Sequence, residues 1–89
     1  MIAGNVTIVN KLGLHARAAS RLVNCASGYA SEIRLVKGTR AVNAKSIMGV
    51  LTLAAAKGSE LVIEAEGADQ QQALEALTTL IEGRFGEDE

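Results

Sequence analysis

Apolar residues in this sequence switch back and forth between the two-residue period of a β-strand and the 3.6-residue period of an α-helix. Few folds accommodate such a pattern in so short a chain. No proline interrupts it, so glycines provide the breaks. Val6 and Ile8 alternate with Asn5 and Thr7, which predicts a strand over about residues 5–9. Ala19, Leu22, Val23 and Ala26 fall at helical spacing and predict a helix over about 16–27, stopped by Gly28. Ile33 and Leu35 mark a second strand, Lys37-Gly38-Thr39 a turn, and Arg40 to Asn43 a short third strand. Ser46 then precedes a stripe of Ile47, Val50, Leu51 and Ala54, a second helix. Leu61, Ile63 and Ala65 form a fourth strand between Gly58 and Gly67. Ala73, Leu74, Leu77, Leu80 and Ile81 line a third helix over about 70–83, and Gly86 to Glu89 is expected to fray. The order is β-α-β-β-α-β-α. A sheet with one apolar face covered by amphipathic helices is a two-layer sandwich with the helices on one side.

At 89 residues a single domain spanning 1–89 is expected. The chain is 48% hydrophobic with a net charge of −1, which excludes a disordered polyelectrolyte. No apolar run approaches the roughly 20 residues of a membrane span. Met1 to Val9 has neither a basic opening nor a long apolar stretch, so no signal peptide is expected. One cysteine and one histidine allow no internal disulfide and no metal constellation. These features lead to the expectation of a cytoplasmic chain with neither metal nor cofactor.

The net charge conceals a partition. Residues 1–57 carry eight basic side chains (Lys11, Arg17, Arg21, Arg34, Lys37, Arg40, Lys45, Lys57) and one acid, Glu32. Residues 58–89 carry Arg84 and nine acids. The basic half could suggest nucleic acid, but Tyr29 and Phe85 are the only aromatic residues, so a base-stacking platform is not expected.

His15 sits where the first helix begins, after Gly13 and Leu14. Position alone makes it a solvent-facing cap residue. Its neighbours suggest more. A helix start offers free N–H groups and the positive end of the helix dipole, and acids are the usual occupants. Here Arg17 and Arg21 follow instead, with no acid from Met1 to Ser31. A phosphoryl group on His15 would meet the N–H groups of Ala16 and Arg17 and the Arg17 guanidinium. A histidine with an ordinary pKa is substantially neutral at pH 7, which leaves a ring nitrogen free to attack. Ser46, beside Lys45, suits an N-cap accepting from Met48 or Gly49, and a phosphoserine there would also gain from the helix start. Met48 lies off the helical stripe. It either fills a core gap or, if exposed beside Ile47 and Leu51, makes a small apolar docking patch. Cys25 is expected as a small buried hydrophobe.

Gly13-Leu14-His15-Ala16-Arg17-Ala18-Ala19 and Ala44-Lys45-Ser46-Ile47-Met48-Gly49-Val50-Leu51 resemble the two signatures of the HPr family, the histidine-containing phosphocarriers of the bacterial sugar phosphotransferase system. Element order and length agree over about residues 3–86. The resemblance implies an α+β open-faced sandwich, a four-stranded antiparallel sheet with three helices on one face. It implies that His15 takes a phosphoryl group through Nδ1 from phospho-enzyme I, charged by phosphoenolpyruvate, and passes it to IIA domains of sugar permeases. Arg17 would support the phosphate. Ser46 resembles the site modified by HPr kinase/phosphorylase. Arg21, Ile47, Met48 and Leu51 correspond to partner-docking positions. Such a protein is a carrier rather than a turnover enzyme, and a monomer is expected. Ala18 stands where the family usually has proline; alanine is a good helix former, so the helix should persist.

Two other readings follow from the same residues. Lys11-Leu12-Gly13-Leu14 and the acidic end resemble the nitrogen-branch paralogue, NPr, whereas Lys45-Ser46-Ile47-Met48 fits HPr better. A regulatory binding module acting through Ser46 without phosphotransfer would leave His15 and Arg17 without a role.

Overall fold

The computed structural model describes residues 1–89. Its elements are β1 (Ile2–Thr7), α1 (Ala16–Ser27), β2 (Glu32–Lys37), β3 (Arg40–Asn43), α2 (Ile47–Thr52), β4 (Glu60–Glu66) and α3 (Gln70–Glu82), followed by a 3-10 turn, Arg84–Gly86. The four strands form one sheet in the order β1-β4-β2-β3. All three pairings are antiparallel: β1 with β4 from Ile2↔Ala65 to Thr7↔Glu60, β4 with β2, and β2 with β3. This is the open-faced α+β sandwich that the sequence predicts. No helix is long and apolar enough to cross a membrane.

The core lies between one face of the sheet and the helices. Val6, Ile33, Leu35, Leu61, Ile63 and Ala65 supply the sheet side. Ala18, Ala19, Leu22, Val23 and Ala26 of α1, Val50 of α2, and Ala73, Leu77 and Ile81 of α3 close it. The period-2 alternation of β4 places Glu60 and Glu66 outside, and Glu64 faces Arg34 across the pairing, with Arg34 Nη2 and Glu64 Oε1 2.9 Å apart. Such an exposed pair adds under about 1 kcal/mol. It suits the outer surface.

Three boundaries differ from the sequence expectation, each for a packing reason. β1 starts at Ile2 rather than Asn5 and ends at Thr7. Gly4 conceals the alternation, because a Cβ there would come 3.2 Å from a methyl of Leu74; the side chain missing from β1 is replaced by one from α3. α2 ends at Thr52, and Ala54, expected on its stripe, is exposed. Ala54 adopts φ 49° and turns the chain, so Leu53 and Ala55 enter the core instead. The C-terminal segment does not fray. Phe85 is buried in the core, and the residues after it fold back towards the start of α1. Cys25 is half-buried rather than buried; partial burial raises its thiol above the ordinary value.

Candidate functional site

The loop before α1 is shaped by Gly13. It takes φ +68°, and a Cβ at this position would lie 2.6 Å from the carbonyl oxygen of Ala55. Only glycine fits both the left-handed backbone and that close approach. Leu14 is buried, and its N–H donates to the same Ala55 carbonyl at 2.8 Å. The chain after α2 thus clamps the two residues that precede His15.

His15 is the N-cap of α1, in an extended conformation. Its Nδ1 accepts the Arg17 N–H at 3.3 Å, and its carbonyl accepts the Ala19 N–H at 2.8 Å. One of the otherwise unpaired N–H groups at the helix start, that of Arg17, is therefore directed at the ring. On the other side of the ring, His15 Nε2 lies 2.5 Å from Glu87 Oε2, with the His15 side chain 27% exposed and that of Glu87 11% exposed. One protonation pattern of a neutral imidazole satisfies both contacts: Nε2 carries the hydrogen and Nδ1 keeps its lone pair.

Glu87 is itself held. Asn10, fully buried, donates from Nδ2 to Glu87 Oε1 at 2.9 Å and to the Gly13 carbonyl at 2.8 Å. That amide is the main cause holding the Glu87 carboxyl below its ordinary value, against the opposing effect of desolvation. The hydrogen bond from His15 and the charges of His15 and Arg17 lower it further. An open cleft of about 440 Å³ is lined by Arg17 and Glu87 together with Lys11, Leu12, Asp88 and Glu89. Arg17 makes no ion pair in the structure, so its guanidinium is available to an anion there.

Of the residues singled out from the sequence, His15, Ala16 and Arg17 come together at the start of α1. Arg21, one turn on, donates its Nη1 to the Phe85 carbonyl and so ties the C-terminal segment to α1. Ser46 is the N-cap of α2, with Oγ accepting the Gly49 N–H at 3.1 Å. Lys45 beside it donates Nζ to the Tyr29 carbonyl at 2.7 Å. Ile47 is exposed, Met48 is 71% exposed and Leu51 is half-buried, so Met48 is surface rather than core. These three lie on α2, which packs against α1. Asn10 and Glu87 were not legible as site residues. The available signal was indirect: a lone phenylalanine between Gly83 and Gly86 in an acidic tail is an anchor, and an anchored tail brings its acids with it.

The site can therefore present an imidazole lone pair beside helix N–H groups and an arginine, which is equipment for receiving a compact anion. Comparison with known proteins agrees. The PTS-HPr family model, described as the PTS HPr component phosphorylation site, matches residues 2–83. A phosphocarrier protein HPr of Cupriavidus necator is 48% identical over 89 residues, covering 100% of both chains. The crystal structure of HPr-C-His from Thermoanaerobacter tengcongensis superposes with a TM-score of 0.96 at 44% identity, covering 100% of both chains. A phosphocarrier protein NPr of Shewanella violacea is 42% identical over 82 residues, covering 92% of this chain and 90% of that one. A match of this length and identity leaves one assignment: this protein belongs to the HPr family, the phosphocarriers of the phosphotransferase system.

Proposed function

We propose that His15 is the phosphoryl acceptor and that Nδ1 is the attacking atom. The observation that carries this is the Arg17 N–H directed at Nδ1. This contact supports Nδ1 as the nitrogen with the lone pair, at the N-terminal end of α1. A phosphoryl group bonded there would sit among the N–H groups of Ala16 and Arg17 and within reach of the Arg17 guanidinium. Phosphoryl transfer requires mainly positioning and charge stabilisation, so a carrier needs little more. The chain acts as one HPr-like domain in the cytoplasm, taking the group from phospho-enzyme I and passing it to IIA domains. The exposed Ile47 and Met48 with Leu51 and Arg21 form the docking surface. Ser46 is the regulatory site for an HPr kinase/phosphorylase, where added charge would be stabilised as a cap yet would sit beside the apolar patch. The sugar branch is favoured over the nitrogen branch by Lys45-Ser46-Ile47-Met48, with Met48 displayed on the surface.

Incubation with enzyme I and phosphoenolpyruvate tests the reading. One acid-labile, base-stable phosphate is expected on the protein and none on His15→Ala. Label retained by that variant would remove His15 from the acceptor role.

A further inference from the structure

We propose that Glu87 is a positioning residue for phosphoryl transfer: its carboxylate, gripped by Asn10, holds the imidazole of His15 in the tautomer with the proton on Nε2 and the lone pair on Nδ1. The proposal rests on the reading of His15 as acceptor and adds the group that orients it.

Three observations converge on it. The first is the pair of contacts on opposite ring nitrogens, Glu87 Oε2 at Nε2 and the Arg17 N–H at Nδ1, which one tautomer alone satisfies. The second is that the other carboxylate oxygen, Oε1, is fixed by a fully buried amide. Asn10 also bonds the Gly13 carbonyl, so one side chain sets the carboxylate relative to the loop that carries the histidine. The third is the cost of the segment that delivers Glu87. Arg84 and Phe85 both take left-handed backbone, φ 59° and 54°. Left-handed backbone is unfavourable for any residue with a Cβ. Burial of the Phe85 ring opposes that cost. Arg21 on the Phe85 carbonyl, Arg84 on the Asp88 carbonyl and Lys11 N–H on the Glu89 carbonyl tie the segment down on both sides of Glu87.

The chemistry explains why a carboxylate suits this place. As the N–P bond forms at Nδ1, the bond from phosphorus to the donor atom breaks and that atom keeps the electron pair. The ring becomes positively charged and retains its Nε2 hydrogen. Glu87 meets that hydrogen with an opposite charge, so no proton has to move in either direction of transfer. The titratable and charged groups facing Glu87 are His15 and Arg17 from the start of α1; Asp88 follows it, and Lys11 is occupied by Glu89 at 3.2 Å. The lowered Glu87 carboxyl stays ionised as pH falls through the ordinary carboxylate range, so the grip is present at neutral pH.

The test uses the full chain as wild type, Glu87→Gln, Glu87→Asp and His15→Ala, each first shown to be folded by its melting transition. Ring 15N shifts and exchange of the His15 Nε2 hydrogen are read without any donor. Initial rates with enzyme I and phosphoenolpyruvate are then followed from about pH 5 to about pH 9, a window spanning histidine titration. The wild type should show a protected Nε2 hydrogen. Glu87→Gln should lose that protection and slow phosphorylation by about tenfold, the scale at which orienting partners of a histidine act. Glu87→Asp, which keeps the charge, should recover most of the rate. Wild-type ring shifts in Glu87→Gln, or a rate within about twofold of wild type, would overturn the positioning role. Label on His15→Ala would instead overturn the acceptor reading, while the donor-free ring measurement still decides whether Glu87 holds the imidazole.

Discussion

Gly13 shows how a residue without a side chain can set a chemical site. Its left-handed φ and the Ala55 carbonyl 2.6 Å from any added Cβ make the position specific for glycine. Gly13→Ala should destabilise by about 2–4 kcal/mol, from left-handed strain and the clash together. Urea unfolding checks this, and a loss below about 0.5 kcal/mol would mean that the loop relaxes freely. What approaches Gly13 was not readable from the sequence, because Ala55 is remote in the chain. His15, Arg17 and Ser46 were legible because their roles are local: each belongs to the first turn of its own helix. Asn10 and Glu87 were not, because their meaning is a contact across most of the chain. Residue type misled as well. A buried asparagine reads as loop, and a glutamate near the end of an acidic run reads as solvated.

The helices carry their start signals in different ways. α1 begins at a histidine whose ring accepts a backbone N–H, and α2 at a serine that does the same. α3 has Asp69 as its N-cap with no side-chain bond to its own helix. Asp69 bonds the N–H groups of Ala30 and Ser31 and the Ser31 hydroxyl instead, so it fastens the start of α3 to the turn between α1 and β2. The Ser31 hydroxyl is the main cause that lowers its carboxyl below the ordinary value, with the two N–H groups helping and desolvation opposing. A lowered folded value means that this stabilisation is present above the unfolded value, about pH 4, and is lost as pH falls through the folded one. Asp69→Asn should therefore be less stable than wild type at neutral pH, with the gap closing on acidification. A gap independent of pH, from urea midpoints measured across that range, would contradict the role given to its charge. The Lys37-Gly38-Thr39 turn located β3, and periodicity located the other strands and the three α-helices. It failed at the two places where one element lends atoms to another: Leu74 filling the space at Gly4, and Ala54 leaving its stripe where α2 stops.

Across the whole molecule, the basic first part and acidic second part of the sequence are not separate faces. The fold returns Glu87, Asp88 and Glu89 to the cleft that Lys11 and Arg17 also line. Arg17 remains without an ion pair, while Lys11 is neutralised by Glu89. The protein therefore offers a partner fewer free cations than composition suggests. Its association rate with enzyme I should still fall as salt rises from about 0.05 to about 0.5 M, where screening shortens to a few ångströms. A rate insensitive to salt would make the charge partition irrelevant to encounter. The two-layer architecture was readable because most elements have a clean period, and the match to HPr-C-His confirms it over the full chain. The C-terminal return was unreadable because one buried phenylalanine has no period. The central claim is that this return and the start of α1 together present His15 Nδ1 to an incoming phosphoryl group. Its most direct test is nitrogen-resolved NMR of the protein after reaction with enzyme I and phosphoenolpyruvate. A single N–P bond is expected, at Nδ1 of His15; phosphate on Nε2, or on any other residue, would overturn this.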